Sequence, residues 1–219
     1  MKPTAFIFDL NGTMIDDMDY HEKAWFDMLN EDMQAGISMA DIKKQMYGKN
    51  EEVMVRIFGK EKFTLEEMTA HSYKKELLYQ KVFLPHLKLI NGLHEFFEKA
   101  VEQNILMAIG TAAIPFNVDY VLDNIPIKKY FSAIVTADDV AASKPNPTVF
   151  LKCADKLQAP YASCIVFEDS PKGVEAALNA GMKAVVIKTY HTEDEFSHLT
   201  NVLMFVDDYK DERLQELFY

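Results

Sequence analysis

The chain predicts an α/β fold interrupted early by a helical segment, on three observations. A short apolar run, Thr4 to Phe8, ends in a carboxylate and a Gly turn, as a buried strand does. From about His86 onward, amphipathic helical patterns alternate with short apolar runs, which is the signature of βαβ units and a parallel sheet. Between these regions, from Asp16 to about Pro85, only helical periodicity is present. The expectation is a discontinuous core domain of residues 1–15 and 86–219, with residues 16–85 inserted as a four-helix unit.

In the insert, Ala24, Trp25, Met28 and Leu29 keep the i, i+3, i+4 spacing of one apolar helix face. Further helices are expected over Met39–Met46, Glu51–Phe58 and Leu65–Phe83, punctuated by Gly36, Gly48 and Gly59. Met14, Met28, Met46 and Met54 read as packing residues, since thioethers fill irregular apolar gaps. The core domain continues as helix Leu93–Gln103, strand Leu106–Gly110, helix Asn117–Leu122, strand Ala133–Thr136, helix Pro147–Leu157 and strand Cys164–Phe167. Helix Gly173–Ala180 and strands Ala184–Ile187 and Val202–Val206 follow. Such a pattern makes a doubly wound, Rossmann-like sheet.

Composition narrows the function classes. An acidic balance of −11 with no basic stripe argues against nucleic acid. An anionic small substrate then needs a local basic pocket. Cys153 and Cys164 have no zinc-type spacing and are too few for a disulfide scaffold, so both are expected buried and reduced. No run reaches the roughly 18 apolar residues of a membrane span, and the apolar stretch after Lys2 is too short for a signal peptide. Cytoplasm is the default expectation, and no protein partner is indicated.

Four fragments fall at or just after strand ends: Asp9-Leu10-Asn11-Gly12-Thr13, Gly110-Thr111-Ala112, Ser143-Lys144-Pro145-Asn146-Pro147 and Phe167-Glu168-Asp169-Ser170. Ligands of open α/β sheets bind outside the carboxyl ends of the strands. Asp9 there suits a nucleophile or a metal ligand, and Asp9 with Asp169 suits a hard cation such as Mg²⁺. Thr111 offers a hydroxyl and Lys144 a positive charge for phosphate oxygens.

The order and placement of these fragments resemble the haloacid dehalogenase superfamily, in particular its β-phosphoglucomutase-like phosphatase branch. The resemblance spans essentially the whole chain. It implies that Asp9 forms an aspartyl-phosphate, that Thr111, Ala112 and Lys144 bind phosphate, and that Mg²⁺ is held by Asp9, Asp169 and the backbone carbonyl of Asn11, with Glu168 as an additional acid. The insert resembles that branch's cap: Tyr20-His21 with Ala24-Trp25 matches its first helix, and Gly48-Lys49-Asn50-Glu51 falls where members reach the substrate. His21 and Lys49 are the cap residues it singles out.

The activity implied is Mg²⁺-dependent hydrolysis of a small phosphorylated metabolite such as a sugar phosphate. Position 11 departs from the pattern: it holds Asn where most phosphatases of the family carry an Asp that protonates the leaving oxygen. An amide does neither half of general acid–base work, which is typically worth about 10²- to 10⁴-fold. Two other readings therefore stand beside the phosphatase. A β-phosphoglucomutase would need the acid–base group this chain lacks, and a phospho-ligand binding protein would show little turnover.

Overall fold

The computed structural model describes residues 2–219. It divides into two compact units, Met1–Asp16 with Lys88–Tyr219, and Asp17–Leu87.

In the first unit, six parallel strands are found among the described residues: β1 (Ala5–Phe8), β2 (Leu106–Gly110), β3 (Ala133–Val135), β4 (Cys164–Glu168), β5 (Lys183–Ile187) and β6 (Val202–Val206). Their order is β3-β2-β1-β4-β5-β6, the doubly wound arrangement in which strand order reverses beside β1. Burial on both faces explains why β1 and β4 read as unbroken apolar runs rather than alternating ones. Phe8 is in register with Ile109 on one side and Phe167 on the other. Three strands thus end level where the order reverses.

On one face Phe6, Phe8, Phe96, Phe167 and Phe218 form an aromatic cluster, with Phe8 stacked on Phe167 at 4.6 Å between centroids. The other face packs Val149, Phe150, Cys153, Val174 and Ala177 against Ile7, Ala108 and Val166. Helices α5 (Leu93–Glu102), α6 (Pro115–Asn124), α7 (Thr148–Leu157) and α8 (Pro171–Asn179) supply the layers above and below the sheet. Both cysteines are free and buried.

The second unit is helical: α1 (Met18–Asp27), α2 (Met39–Gln45), α3 (Asn50–Phe58) and α4 (Leu65–Phe83). Ser38 and Thr64 cap α2 and α4 by accepting from the amides of Asp41 and Glu67. The apolar face Ala24–Leu29 is buried, but the α-helix stops at Asp27 and continues as a π-helical turn over Met28–Asp32. Trp25, Met28, Leu29, Ile42, Val53 and Met54 make this unit's own core, with Met46 half-buried against it. No helix among the described residues is long and apolar enough to cross a membrane.

Candidate active site

The site grows from the level ends of β1, β2 and β4. Asp9 follows β1 directly, and its amide donates to the Phe167 carbonyl at 2.9 Å, so the sheet ladder itself carries the carboxylate to the strand end. Thr111 follows β2 in the same way, donating its amide to Val135. Its hydroxyl accepts from the Ala113 amide at 3.1 Å, closing a tight turn around half-buried Ala112. Glu168 ends β4, and Asp169 is the next residue.

Lys144 arrives from the segment between β3 and α7, where Asn179 holds the Pro145 carbonyl at 3.0 Å. Its Nζ donates to Asp9 Oδ1 at 2.5 Å and to Glu168 Oε1 at 2.6 Å. Burial alone would lower the pKa of this ammonium, but the two adjoining carboxylates outweigh that and raise it above the usual lysine value. Lys144 is therefore charged at neutral pH.

Glu168 is fully engaged. Its Oε2 accepts from the Asp169 amide at 3.0 Å, the Ser170 amide at 2.9 Å and the Ser170 hydroxyl at 2.9 Å. A Cβ at position 173 would lie 1.8 Å from the Glu168 carboxyl carbon, so the first turn of α8 must be glycine there. Gly12 plays the matching part on the other side: its φ is +71°, and a Cβ would stand 2.2 Å from Asp169 Oδ2. These two glycines let the acids of β4 and the loop after β1 close up.

Asp169 is buried beside Glu168 and Asp9. Desolvation first, then those two negative charges, push its carboxyl well above the ordinary range, with Lys144 opposing. Three buried carboxylates thus face one ammonium. Among the described residues no group of three or more His, Cys, Asp or Glu side chains is arranged as a metal cage. Two carboxylates, a carbonyl and water suffice for Mg²⁺, which keeps much of its hydration. The oxygen-only donors and the excess negative charge fit such a cation.

The structure brings Asp9, Lys144, Glu168 and Asp169 together, with Thr111 and Ala112 on the neighbouring strand end and half-buried Asn11 two residues past Asp9. His21 and Lys49 belong to the helical unit. Lys49 is half-buried just before α3, its amide donating to Glu52 Oε2 at 3.1 Å. His21 is buried in α1, in a polar cluster: Lys75 Nζ lies 2.7 Å from His21 Nδ1 and donates to Glu76 Oε1 at 3.0 Å, while Asn50 donates to the same Glu76 oxygen at 2.6 Å. Asp17 Oδ2 sits 3.4 Å from His21 Nε2 and accepts from Tyr79 at 2.5 Å.

Sequence reasoning passed over Lys75 and Glu76. A signal existed: Ser72, Lys75, Glu76, Tyr79 and Phe83 share the spacing of one buried face of α4, an unusual place for charge. It also passed over Thr189 and Tyr209, whose hydroxyls reach the loop after Asp9. No local motif marks either residue. The Tyr209 phenol is held protonated by burial and by the charges of Asp9 and Asp169.

The family model for haloacid dehalogenase-like hydrolases matches residues 6–187. The chain is a haloacid dehalogenase-like hydrolase. It is 31% identical to a β-phosphoglucomutase of Bacillus subtilis, over 83% of this chain and 81% of that protein. It is 29% identical to a fructose-1-phosphate phosphatase of Escherichia coli, over 84% of this chain and 96% of that one. A crystal structure of a haloacid dehalogenase hydrolase from Entamoeba histolytica superposes with a TM-score of 0.87 at 26% identity, covering 100% of this chain and 98% of that one. As a member of this family the chain is a phosphohydrolase-type enzyme, and phosphatases of the family generally use Mg²⁺.

Proposed function

We propose that this hydrolase is a Mg²⁺-dependent phosphatase of a small phosphorylated metabolite such as a sugar phosphate, working through a phosphoryl group on Asp9. The observation that carries the reading is Lys144, buried and charged, bridging Asp9 and Glu168 at hydrogen-bond distance. An ammonium there stabilises the equatorial oxygens of a transferring phosphoryl group and pairs with the Asp9 carboxylate that attacks it. Bound Mg²⁺ would be held by Asp9, Asp169 and the Asn11 carbonyl, and would offset the repulsion between Asp9 and an anionic phosphate.

An Asp9 oxygen attacks phosphorus, the ester P–O bond breaks, and its electron pair leaves with the alkoxide. The alkoxide takes its proton from solvent water; a water molecule then attacks the phosphorus of phospho-Asp9, the Asp9 O–P bond breaks, and the Asp9 carboxylate and inorganic phosphate are released, the water's protons passing to phosphate and solvent. Glu168 is assigned to holding Lys144 rather than to the metal, because its other oxygen already takes three hydrogen bonds. Thr111 and the amides about Ala112 are assigned to phosphate. His21 and Lys49, both in the helical unit, are proposed as its substrate-contacting residues.

Asn11 brings no proton to the leaving oxygen, so aryl phosphates should turn over faster than alkyl phosphates. The direct test is Asp9→Ala. Hydrolysis of p-nitrophenyl phosphate should be lost in a folded variant, EDTA should abolish it in the parent, and a screen of sugar phosphates should identify the preferred ester. Parent-like rates in folded Asp9→Ala would sink the covalent route. Activity unaffected by EDTA would sink the metal.

A further inference from the structure

Two hydroxyls from distant parts of the chain converge on the loop that follows the nucleophile. Thr189, just past β5, donates through Oγ1 to the Gly12 carbonyl at 2.6 Å. Tyr209, just past β6, donates through its phenol to the Thr13 carbonyl at 3.0 Å. They take consecutive carbonyls of one loop. The same loop carries Asn11 on its near side and meets Asp169 through Thr13 Oγ1 at 3.5 Å.

Tyr209 is itself held firmly. Its ring packs at 5.5 Å from Phe96 and 5.9 Å from Phe167 in the aromatic cluster. Its amide donates to Asn91 at 2.9 Å, and the adjoining segment is bound to the loop as well, since Ile90 donates to Met14 at 2.9 Å and Leu89 bridges Ile15. Tyr209 therefore binds both the nucleophile loop, at Thr13, and the segment alongside it, at Asn91. Within the loop, the amides of Thr13, Met14 and Ile15 all point back to one carbonyl, Leu10.

We infer that Thr189 and Tyr209 are positioning residues for phosphoryl transfer, clamping the Gly12 and Thr13 peptide planes so that Asn11 and Asp9 keep a fixed place against Asp169. Peptide planes are rigid, so fixing two successive carbonyls fixes the direction of the loop on either side. Misplacement of a reacting group by a fraction of an ångström lowers the chemical step more than it lowers binding. The inference rests on the phosphatase reading for its kinetic consequence and on hydrogen bonds alone for the clamp.

The test uses Tyr209→Phe, which keeps the ring in its cluster and removes only the hydroxyl, and Thr189→Val, which keeps the shape. With p-nitrophenyl phosphate and saturating Mg²⁺, each should lower kcat about three- to tenfold with little change in KM. Thr189→Ser should recover most of the loss. Amide hydrogen exchange over residues 9–15 should quicken in both variants and not in Tyr161→Phe, which removes an exposed hydroxyl elsewhere in the same unit.

Unchanged exchange over residues 9–15 in both variants would overturn the clamp. Faster exchange with unchanged kcat would overturn the positioning role, leaving two ordinary structural bonds. A parent without turnover on any phosphate ester would sink the phosphatase reading, and the exchange measurement would then decide the clamp alone.

Discussion

Each unit of this protein buries a lysine, and the two lysines are driven in opposite directions. Lys144 in the sheet unit has two carboxylates in direct contact, at 2.5 and 2.6 Å. Its pKa rises above the ordinary value in spite of burial. Lys75 in the helical unit has one carboxylate at 3.0 Å and lies 2.7 Å from the ring nitrogen Nδ1 of His21. Desolvation wins there and its pKa falls, although Glu76 and Asp17 pull the other way. The comparison teaches that burial is common to both sites and does not set their chemistry. What sets it is whether one or two anions touch the ammonium. Two anions make a permanent charge suited to a transferring phosphoryl group, whereas one anion and an imidazole make a group that can give up its proton.

The sharpest way to break this contrast is to remove the permanent charge. Lys144→Met should reduce kcat by about 10²- to 10³-fold, the usual cost of deleting a transition-state donor. Lys144→Arg should rescue poorly, because a planar fork does not replace a point charge seated between two carboxylates. Steady-state kinetics on p-nitrophenyl phosphate decides the matter: a rise in KM with kcat intact would mean that Lys144 binds ground and transition states alike.

Next in size is the proton that the sheet unit lacks. Asn11→Asp should raise turnover of alkyl phosphates by about 10²-fold and aryl phosphates by less. A plot of log kcat against leaving-group pKa should be steep in the parent and flatter in the variant. Similar slopes would show that another residue already protonates the leaving oxygen.

A smaller effect tests the surplus of negative charge around Lys144. The Asp169 carboxyl is held above its ordinary value, so without metal the folded protein binds more protons than the unfolded chain as pH rises past about 4. Stability of the metal-free protein should therefore fall through that window. Asp169→Asn should remove that part of the fall and make the metal-free protein more stable than the parent. Mg²⁺ at 100 times its Kd should stabilise the parent by about 2.7 kcal/mol, read as a rise in Tm, and should leave Asp169→Asn nearly unmoved. Equal Mg²⁺ effects on both proteins would remove Asp169 from the metal site.

The smallest effect belongs to Lys75, with the opposite sign. Its folded pKa lies below the unfolded value of about 10.4. Between the two, the unfolded chain binds more protons, so its contribution to stability rises with pH. Chemical denaturation across mildly alkaline pH should show that slope in the parent and a flatter one in Lys75→Met. Identical slopes would mean that the ammonium stays charged in the folded unit.

Much of the fold was legible because its signals are local. The apolar runs of β1 and β4 and the periodicity of α4 each depend on residues within a few positions of one another. Asp9, Thr111 and the Glu168-Asp169 pair were legible for the same reason, since each stands at the end of its strand, whereas Lys144, expected just after a strand end, reaches the site from the segment between β3 and α7. The π-helical end of α1 was not, because the pattern Trp25, Met28, Leu29 satisfies an α-helix equally well.

Sequence by itself determined the strand and helix periods, the acidic balance and the presence of a carboxylate, a hydroxyl, a lysine and an acid pair in family order. Only the tertiary structure decided how those groups share charge. Lys144 and Asp9 are 135 residues apart, Thr189 and Gly12 are 177 apart, and Tyr209 and Thr13 are 196 apart, yet each pair is hydrogen-bonded. The physical reason is that a pKa or a clamped carbonyl depends on distances of about 3 Å and on the loss of water around them. Those distances are set by which strands lie side by side, and β1 lies between two strands whose register partners come 101 and 159 residues later.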